Sequence, residues 1–287
     1  MKVFGVLIAI QLLVSFSSVA CDQFGQTGFM PENDLNIPVQ EGIKPNMTQK
    51  EFNTIIGDIA AIYRPIIKKL GGKLYMNNKW KSGTVNASAM QFLSFWMVNM
   101  YGGLARHPLV TPDGFALVVC HEMGHHMAGY PKIGNRGWAS NEGQADYWGN
   151  LKCMRKYLEG RDNIGFVSKL TVDKVVEAEC NAVYKTAEEN ALCKRTSMAG
   201  LSLAKLLNSL KKGSKAIDFT TPDRSITKAM NDKHPPAQCR LDTYFAGSLC
   251  TKDKDEDVSN KKSSDGVCTR DDGYKEGTRP LCWFSRT

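Results

Sequence analysis

The chain has 287 residues, 42% of them apolar and 23% charged, with a formal net charge of +8. That size and apolar content support a packed core of one large domain or two small ones. The basic excess is dispersed, without runs of Lys and Arg interleaved with aromatics, which argues against a nucleic-acid-binding surface.

Residues 1–20 read as a secretory signal, because Lys2 is followed by the apolar run Val3 to Phe16 and then by small residues ending Ser18-Val19-Ala20. No later segment has some 18 uninterrupted apolar residues, so the mature chain is not expected to span a membrane. The sequence has nine cysteines, a usage that suits an oxidising compartment. Their odd number draws attention to Cys21, directly after the expected cleavage point. Either Cys21 carries a lipid anchor, although Ser18 stands where such a signal usually has Leu, or the signal is an ordinary cleaved one. The expected location is outside the cytoplasm: periplasmic, secreted, or held to the envelope through that anchor.

Residues 22–47 are rich in Gly, Pro, Asn and Gln without a sustained period, and read as an extended leader or wrap. A helix is expected from Thr48, where Glu51 completes a capping box and Phe52, Ile55, Ile56, Ile59, Ile62 and Tyr63 share a face. Gly71-Gly72 ends it. Short β-prone runs follow at Lys73 to Met76, Val85 to Phe92 and Phe95 to Tyr101, separated by turn residues such as Asn77-Asn78 and Ser82-Gly83. Thr111-Pro112-Asp113 is a strong helix start, with Thr as cap and Pro at the first helical position. Gly129-Tyr130-Pro131 closes that helix, and a second is expected from Asn141 to Leu158. Thr171 to Leu210 has helical periods that include Cys180 and Cys193. Lys252 to Ser264 is charged and turn-rich, as a solvated linker would be.

The chemistry is concentrated in Cys120-His121-Glu122-Met123-Gly124-His125-His126. On a helix, residues four apart are offset by only about 40°, so His121 and His125 share a face and can bind one ion. Glu142, at the start of the next helix, supplies the third ligand of a two-His-one-Glu zinc set. Asp146 lies four residues on and can also face the first helix. His126 is rotated by about 100° from His125, which gives it a packing or surface role. Cys120 is turned away from His121 by the same angle and reads as a buried thiol or half of a disulfide.

These residues, with several others in fixed order, resemble the gluzincin metallopeptidases, above all the family containing the heat-shock protease HtpX and the prenyl-protein endoproteases. Val85-Asn86-Ala87-Ser88-Ala89 is similar to that family's Asn-Ala strand and Gly103-Leu104 to the Gly-Leu after it. Glu142-Gly143-Gln144-Ala145-Asp146 is similar to its Glu-x-x-Ala-Asp. His234-Pro235-Pro236-Ala237-Gln238-Cys239-Arg240 is similar to its late His-Pro segment with an Arg six positions on. The matches run over roughly residues 48 to 250. The chain lacks the transmembrane helices of the better-known members, so their membrane substrates do not carry over.

The resemblance implies an α+β fold: a mainly helical zincin domain at 48–250 with a small sheet beside the zinc helix, held by disulfides, then a tail at 251–287. It implies a Zn2+ cofactor on His121, His125 and Glu142 that acidifies a water and polarises a peptide carbonyl. Glu122 would act as general base and then general acid, and Asp146 would accept the free ring N–H of a ligand histidine, His121 in particular. His234 and Arg240 are expected to approach the cleft and stabilise an oxyanion, against the plainer alternative that His234 starts a helix and Arg240 pairs with a carboxylate. Asn86, Ala87, Ser88 and Ala89 resemble the strand edge that would hold an extended protein or peptide substrate. In the tail, Cys268 is expected to pair with Cys282 across a short loop. The expected function is an exported zinc endopeptidase. The alternative is a non-catalytic zinc-binding module with a chaperone-like or protein-binding role in the envelope, against which the intact Glu122 argues.

Overall fold

A computed structural model describes residues 28–40, 46–135 and 137–285. The expected signal and Cys21 lie outside the described residues. Helix α1 (Gln49–Lys69) begins with a reciprocal cap, in which the Thr48 hydroxyl accepts from the Glu51 N–H and the Glu51 carboxylate accepts from the Thr48 N–H. Its buried face carries Phe52, Ile55, Ile56, Ile59, Tyr63 and Ile67.

Three strands follow: β1 (Lys73–Lys79), β2 (Ala87–Phe92) and β3 (Phe95–Tyr101), in the sheet order β1-β3-β2. β1 runs parallel to β3 with Lys73 opposite Phe95, and β2 is antiparallel to β3 with Ala87 opposite Met100. The expected turn at Asn77-Asn78 is not there. Both residues are in β1, because Asn77 donates across the sheet to Asn99 Oδ1 at 3.0 Å and Asn78 donates to Asn53 Oδ1 at 2.9 Å. Partners distant in sequence override the local turn preference of asparagine.

Helix α2 (Gly102–Arg106) leads to α3 (Pro112–Met127), whose cap is Thr111, accepting from the Gly114 N–H at 3.0 Å. Every residue from Asp113 to His126 is buried. A helix covered on all sides lies at the centre of its domain, and α3 is packed between α1 and the sheet on one side and later helices on the other. Gly124 permits the close approach of α3 to the residues after Asn141: a Cβ there would stand 2.9 Å from Ala145 Cα.

The second expected helix is present as three continuous pieces: α4 (Glu142–Trp148), a π-helical stretch Gly149–Met154, and α5 (Arg155–Leu158). Then come α6 (Asn163–Val167), α7 (Lys174–Val183), α8 (Ala187–Ser209) and α9 (Ala237–Leu249). Four disulfides fasten this half: Cys120–Cys153, Cys180–Cys193, Cys239–Cys282 and Cys250–Cys268. The expected Cys268–Cys282 loop is therefore corrected. The fully buried Trp283 packs over Gly143 and donates to Thr243 Oγ1 at 2.9 Å, which brings Cys282 to the start of α9. Cys268, whose N–H donates to the Tyr147 hydroxyl, sits instead at the far end of α9 beside Cys250.

The Lys252–Ser264 stretch is also more than a linker. Lys152 and Arg155 donate to the Asp253 and Lys252 carbonyls, and the Tyr130 N–H donates to Ser259 O at 2.8 Å. The architecture is α+β, mainly helical, and no helix among the described residues is long and apolar enough to cross a membrane.

Candidate metal centre

Helix α3 presents His121, Glu122 and His125 into the interior, and α4 brings Glu142 in its first turn. The start of α4 is fixed by Asn141, whose Oδ1 accepts from the Gln144 N–H at 3.0 Å while its amide donates to Asn231 O and Asp232 Oδ1. The same cap therefore ties α4 to the loop that carries His234. His121, Glu122, His125 and Asp146 are 0% exposed, and Glu142 and Arg240 are 1% exposed.

The ligand atoms of His121, His125 and Glu142 all lie within 4.8 Å of one another. His121 Nε2 is 3.3 Å from Glu142 Oε2, and His125 Nε2 is 3.6 Å from Glu142 Oε1. Donors that share one ion at roughly 2.0–2.2 Å in tetrahedral geometry stand about that far apart. The ring orientations are set from behind. His121 Nδ1 donates to Asp146 Oδ1 at 2.7 Å, and His125 Nδ1 donates to the Ser140 carbonyl at 2.8 Å. With the proton on Nδ1, the neutral form of each ring turns its Nε2 lone pair inward. Neither Nε2 makes a hydrogen bond among the described residues, and neither does either Glu122 carboxylate oxygen. Buried polar atoms without partners are rare, and here they converge on a donor set that zinc takes.

Titration behaviour follows from the same geometry. Burial pushes the Glu122 carboxyl up to about 8, with His121 pulling partly against it. Burial also drives His125 down to about 4. His121 feels the same burial, but the Asp146 and Glu142 carboxylates outweigh it and lift the ring to about 9. Glu142 is held well below the usual carboxylate range, since the surrounding His234, His125 and His121 overcome the cost of burial. Asp146 is likewise lowered against its burial, by Arg240 and His121.

Arg240 has a different place from the one expected of it. Its Nε and Nη2 donate to the two oxygens of Asp146, both at 2.7 Å, and Nη1 donates to Phe29 O at 2.8 Å. The guanidinium is thus a clamp on the carboxylate that orients His121, as in the plainer alternative. His234 does reach the centre: its Nε2 is 3.5 Å from Glu142 Oε2 and 2.8 Å from Gly28 O, in the loop before α9 rather than in the helix.

The expected substrate strand is only partly open to a substrate. Asn86 Oδ1 accepts from the Met30 N–H at 3.0 Å, Asn86 Nδ2 donates to Met30 O at 3.3 Å, and Ala87 O accepts from the Phe29 N–H at 2.8 Å. Ser88 Oγ accepts from Asn99 Nδ2 at 3.1 Å, and Ala89 is buried beside Ile133 and Ala139. At Asn86 and Ala87 the edge is occupied by the chain's own residues 29 and 30. Phe29 and Met30 were missed as parts of the centre because nothing in a non-periodic leader marks which residues will pack.

The remaining candidates separate cleanly. His126 is sandwiched between Trp96 and Trp138, with ring centroids 5.3 and 4.8 Å away. Cys120 is held in its disulfide. A second group, Asp223 with Cys239 and Cys282, offers no thiolate, because its two cysteines are bonded to each other. Compared with family models, with curated proteins and with solved structures, the chain matches none.

Proposed function

We propose that the protein is an exported zinc endopeptidase of the gluzincin kind, acting on protein or peptide substrates. The observation that carries this reading is the buried triad of His121, His125 and Glu142, with both Nε2 atoms and the Glu122 carboxylate converging without hydrogen-bond partners among the described residues. Zinc held by the triad would acidify a water and polarise the scissile carbonyl. Glu122, buried beside the triad, takes the proton of the attacking water as a carboxylate and passes it to the leaving amine. His234 donates from Nε2 toward the carbonyl oxygen as negative charge develops there. Asp146, clamped by Arg240, holds the His121 ring in its ligating tautomer. Four disulfides suit an oxidising compartment outside the cytoplasm.

A second reading is favoured by one observation, the complete burial of the centre under residues 28–30. It makes the chain a zinc-binding module that does not turn over substrate. The two readings are separated by zinc content and by cleavage of an unfolded protein, measured on the native chain and on Glu122→Gln. The endopeptidase reading expects both to bind zinc and only the native chain to cut. Zinc bound without cleavage of any member of a broad peptide library would overturn it.

A further inference from the structure

The segment covering the centre is laid out as a substrate would be. Residues 28–37 run beside 83–87 in the antiparallel sense, from Phe29 N–H on Ala87 O to the bridge between Asn36 and Thr84 and Ile37 N–H on Gly83 O. Where this segment passes the proposed metal triad, each backbone group of Gly28, Phe29 and Met30 that a hydrolase would need to hold has a named partner. The Gly28 carbonyl accepts from His234 Nε2 at 2.8 Å, the residue assigned above to the developing oxyanion. The next N–H, that of Phe29, is held at 2.8 Å by Ala87 O. Arg240 takes the Phe29 carbonyl at 2.8 Å, and the Asn86 side chain holds both the N–H and the carbonyl of Met30. The Phe29 ring lies edge to face on His121 at 5.1 Å and beneath the Arg240 guanidinium at 4.5 Å. The Gly28–Phe29 peptide bond therefore has its carbonyl at the polarising group, its nitrogen on the strand edge and its next side chain against a metal ligand.

We propose that Gly28–Phe29 is a built-in substrate of this centre and that the chain cleaves itself there. The inference rests on the zinc endopeptidase reading. In the reaction, water oxygen adds to the Gly28 carbonyl carbon and the bond from that carbon to Phe29 nitrogen breaks. Glu122 carries the proton from the water to the departing nitrogen, leaving a carboxylate on Gly28 and a new amino terminus at Phe29. Water is the sole co-reactant. Everything upstream, Cys21 included, is released, and until then the segment blocks the edge at Asn86 and Ala87 to other peptides. Residue 28 has to be glycine for this fit. Its φ is +78°, and a Cβ at that position would stand 2.0 Å from Ala87 O.

The test strips the full native chain with a chelator, adds zinc, and follows intact mass and amino-terminal sequence. The expected result is a product beginning at Phe29 that forms at the same rate after tenfold dilution, as an intramolecular cut must. Glu122→Gln, with matched zinc content, should stay intact. Gly28→Ala should resist the cut at its own residue 28 yet retain or gain cleavage of an added unfolded protein. Without metal, hydrogen exchange should find the Phe29 and Met30 amides protected in the native chain and released in Gly28→Ala. The proposal is overturned if the native chain cuts the added protein while its 28–29 bond persists, if Glu122→Gln is cut at the same rate, or if those two amides exchange freely. A chain that binds zinc and cuts neither itself nor the added protein defeats the endopeptidase reading as a whole.

Discussion

Two buried arginine–aspartate pairs fasten α3 and α4 to later helices, and they end differently. Arg195 on α8 holds Asp113 with Nε and Nη2 at 2.7 and 2.9 Å, much as Arg240 on α9 holds Asp146 at 2.7 Å twice. The third arm of Arg195 goes to Asn163 Oδ1 at 2.9 Å, and the Asn163 amide is used up on Leu158 O and Glu188. That network closes. The Arg240 network continues through Asp146 to His121 and stops at His121 Nε2, which, like the two Glu122 carboxylate oxygens, has no hydrogen-bond partner among the described residues. A buried charge network that satisfies itself serves the fold, whereas one that ends on convergent donor atoms is the arrangement the proposed zinc would complete.

The largest effect is expected one step beyond the open end. Glu122→Gln should lower cleavage of an unfolded protein by roughly 10²–10⁴-fold with zinc content unchanged, since it removes the proton carrier and no ligand. Steady-state rates at matched zinc occupancy check this.

The comparison itself is broken by changing each aspartate in turn. Asp146→Asn should weaken zinc binding by about 10–100-fold, because His121 loses its orienting carboxylate. It should also destabilise the metal-free protein by ~3–5 kcal/mol by leaving Arg240 as an unpaired buried cation. Asp113→Asn should cost stability while zinc affinity stays at the native value. A competing-chelator titration and urea unfolding of the metal-free chains separate the two. Equal loss of zinc affinity in both would erase the distinction drawn here.

A half-buried carboxylate sharpens the contrast, because among the described residues no arginine pairs with it. Asp242, two residues after Arg240, accepts from the Asp223 N–H at 2.6 Å and from Gln238 Nε2 at 2.9 Å, and burial pushes it up to about 6. A carboxyl raised on folding binds its proton more tightly in the native state. Its contribution is therefore most favourable below the unfolded pKa of about 4 and is lost as pH rises through about 6. The loss should be on the order of 1–3 kcal/mol, and Asp242→Asn should flatten that part of the stability profile. Denaturant unfolding at pH 4, 5, 6 and 7 gives the slopes.

The smallest effect belongs to the cap of α3. Thr111→Ala should cost about 1 kcal/mol and leave zinc affinity unaltered.

What the sequence made readable, and what it hid, follows from distance along the chain. His121, Glu122 and His125 were legible because helical geometry fixes their relation within a single turn, and the Thr111-Pro112 start and Thr48–Glu51 cap were legible for the same local reason. Strand β3 was found at its full length. The partners of distant residues were not legible. Arg240 meets Asp146 across 94 positions, and Asn77 meets Asn99 across 22. The pairing of Cys282 with Cys239 depends on where Trp283 is buried, which no spacing rule contains. Residues 28–30 were least visible of all. An extended segment carries no period, and its place over the centre is set by backbone hydrogen bonds that any sequence can make.

The measurement that tests the central claim most directly is the zinc content of the folded, oxidised chain, by elemental analysis after equilibration with a metal buffer. The account predicts one zinc per chain, lost in His125→Ala and retained in His126→Gln, whose ring stacks between two tryptophans outside the donor set. A native chain with its four disulfides formed that takes up no zinc, or a zinc that persists in His125→Ala, would contradict it.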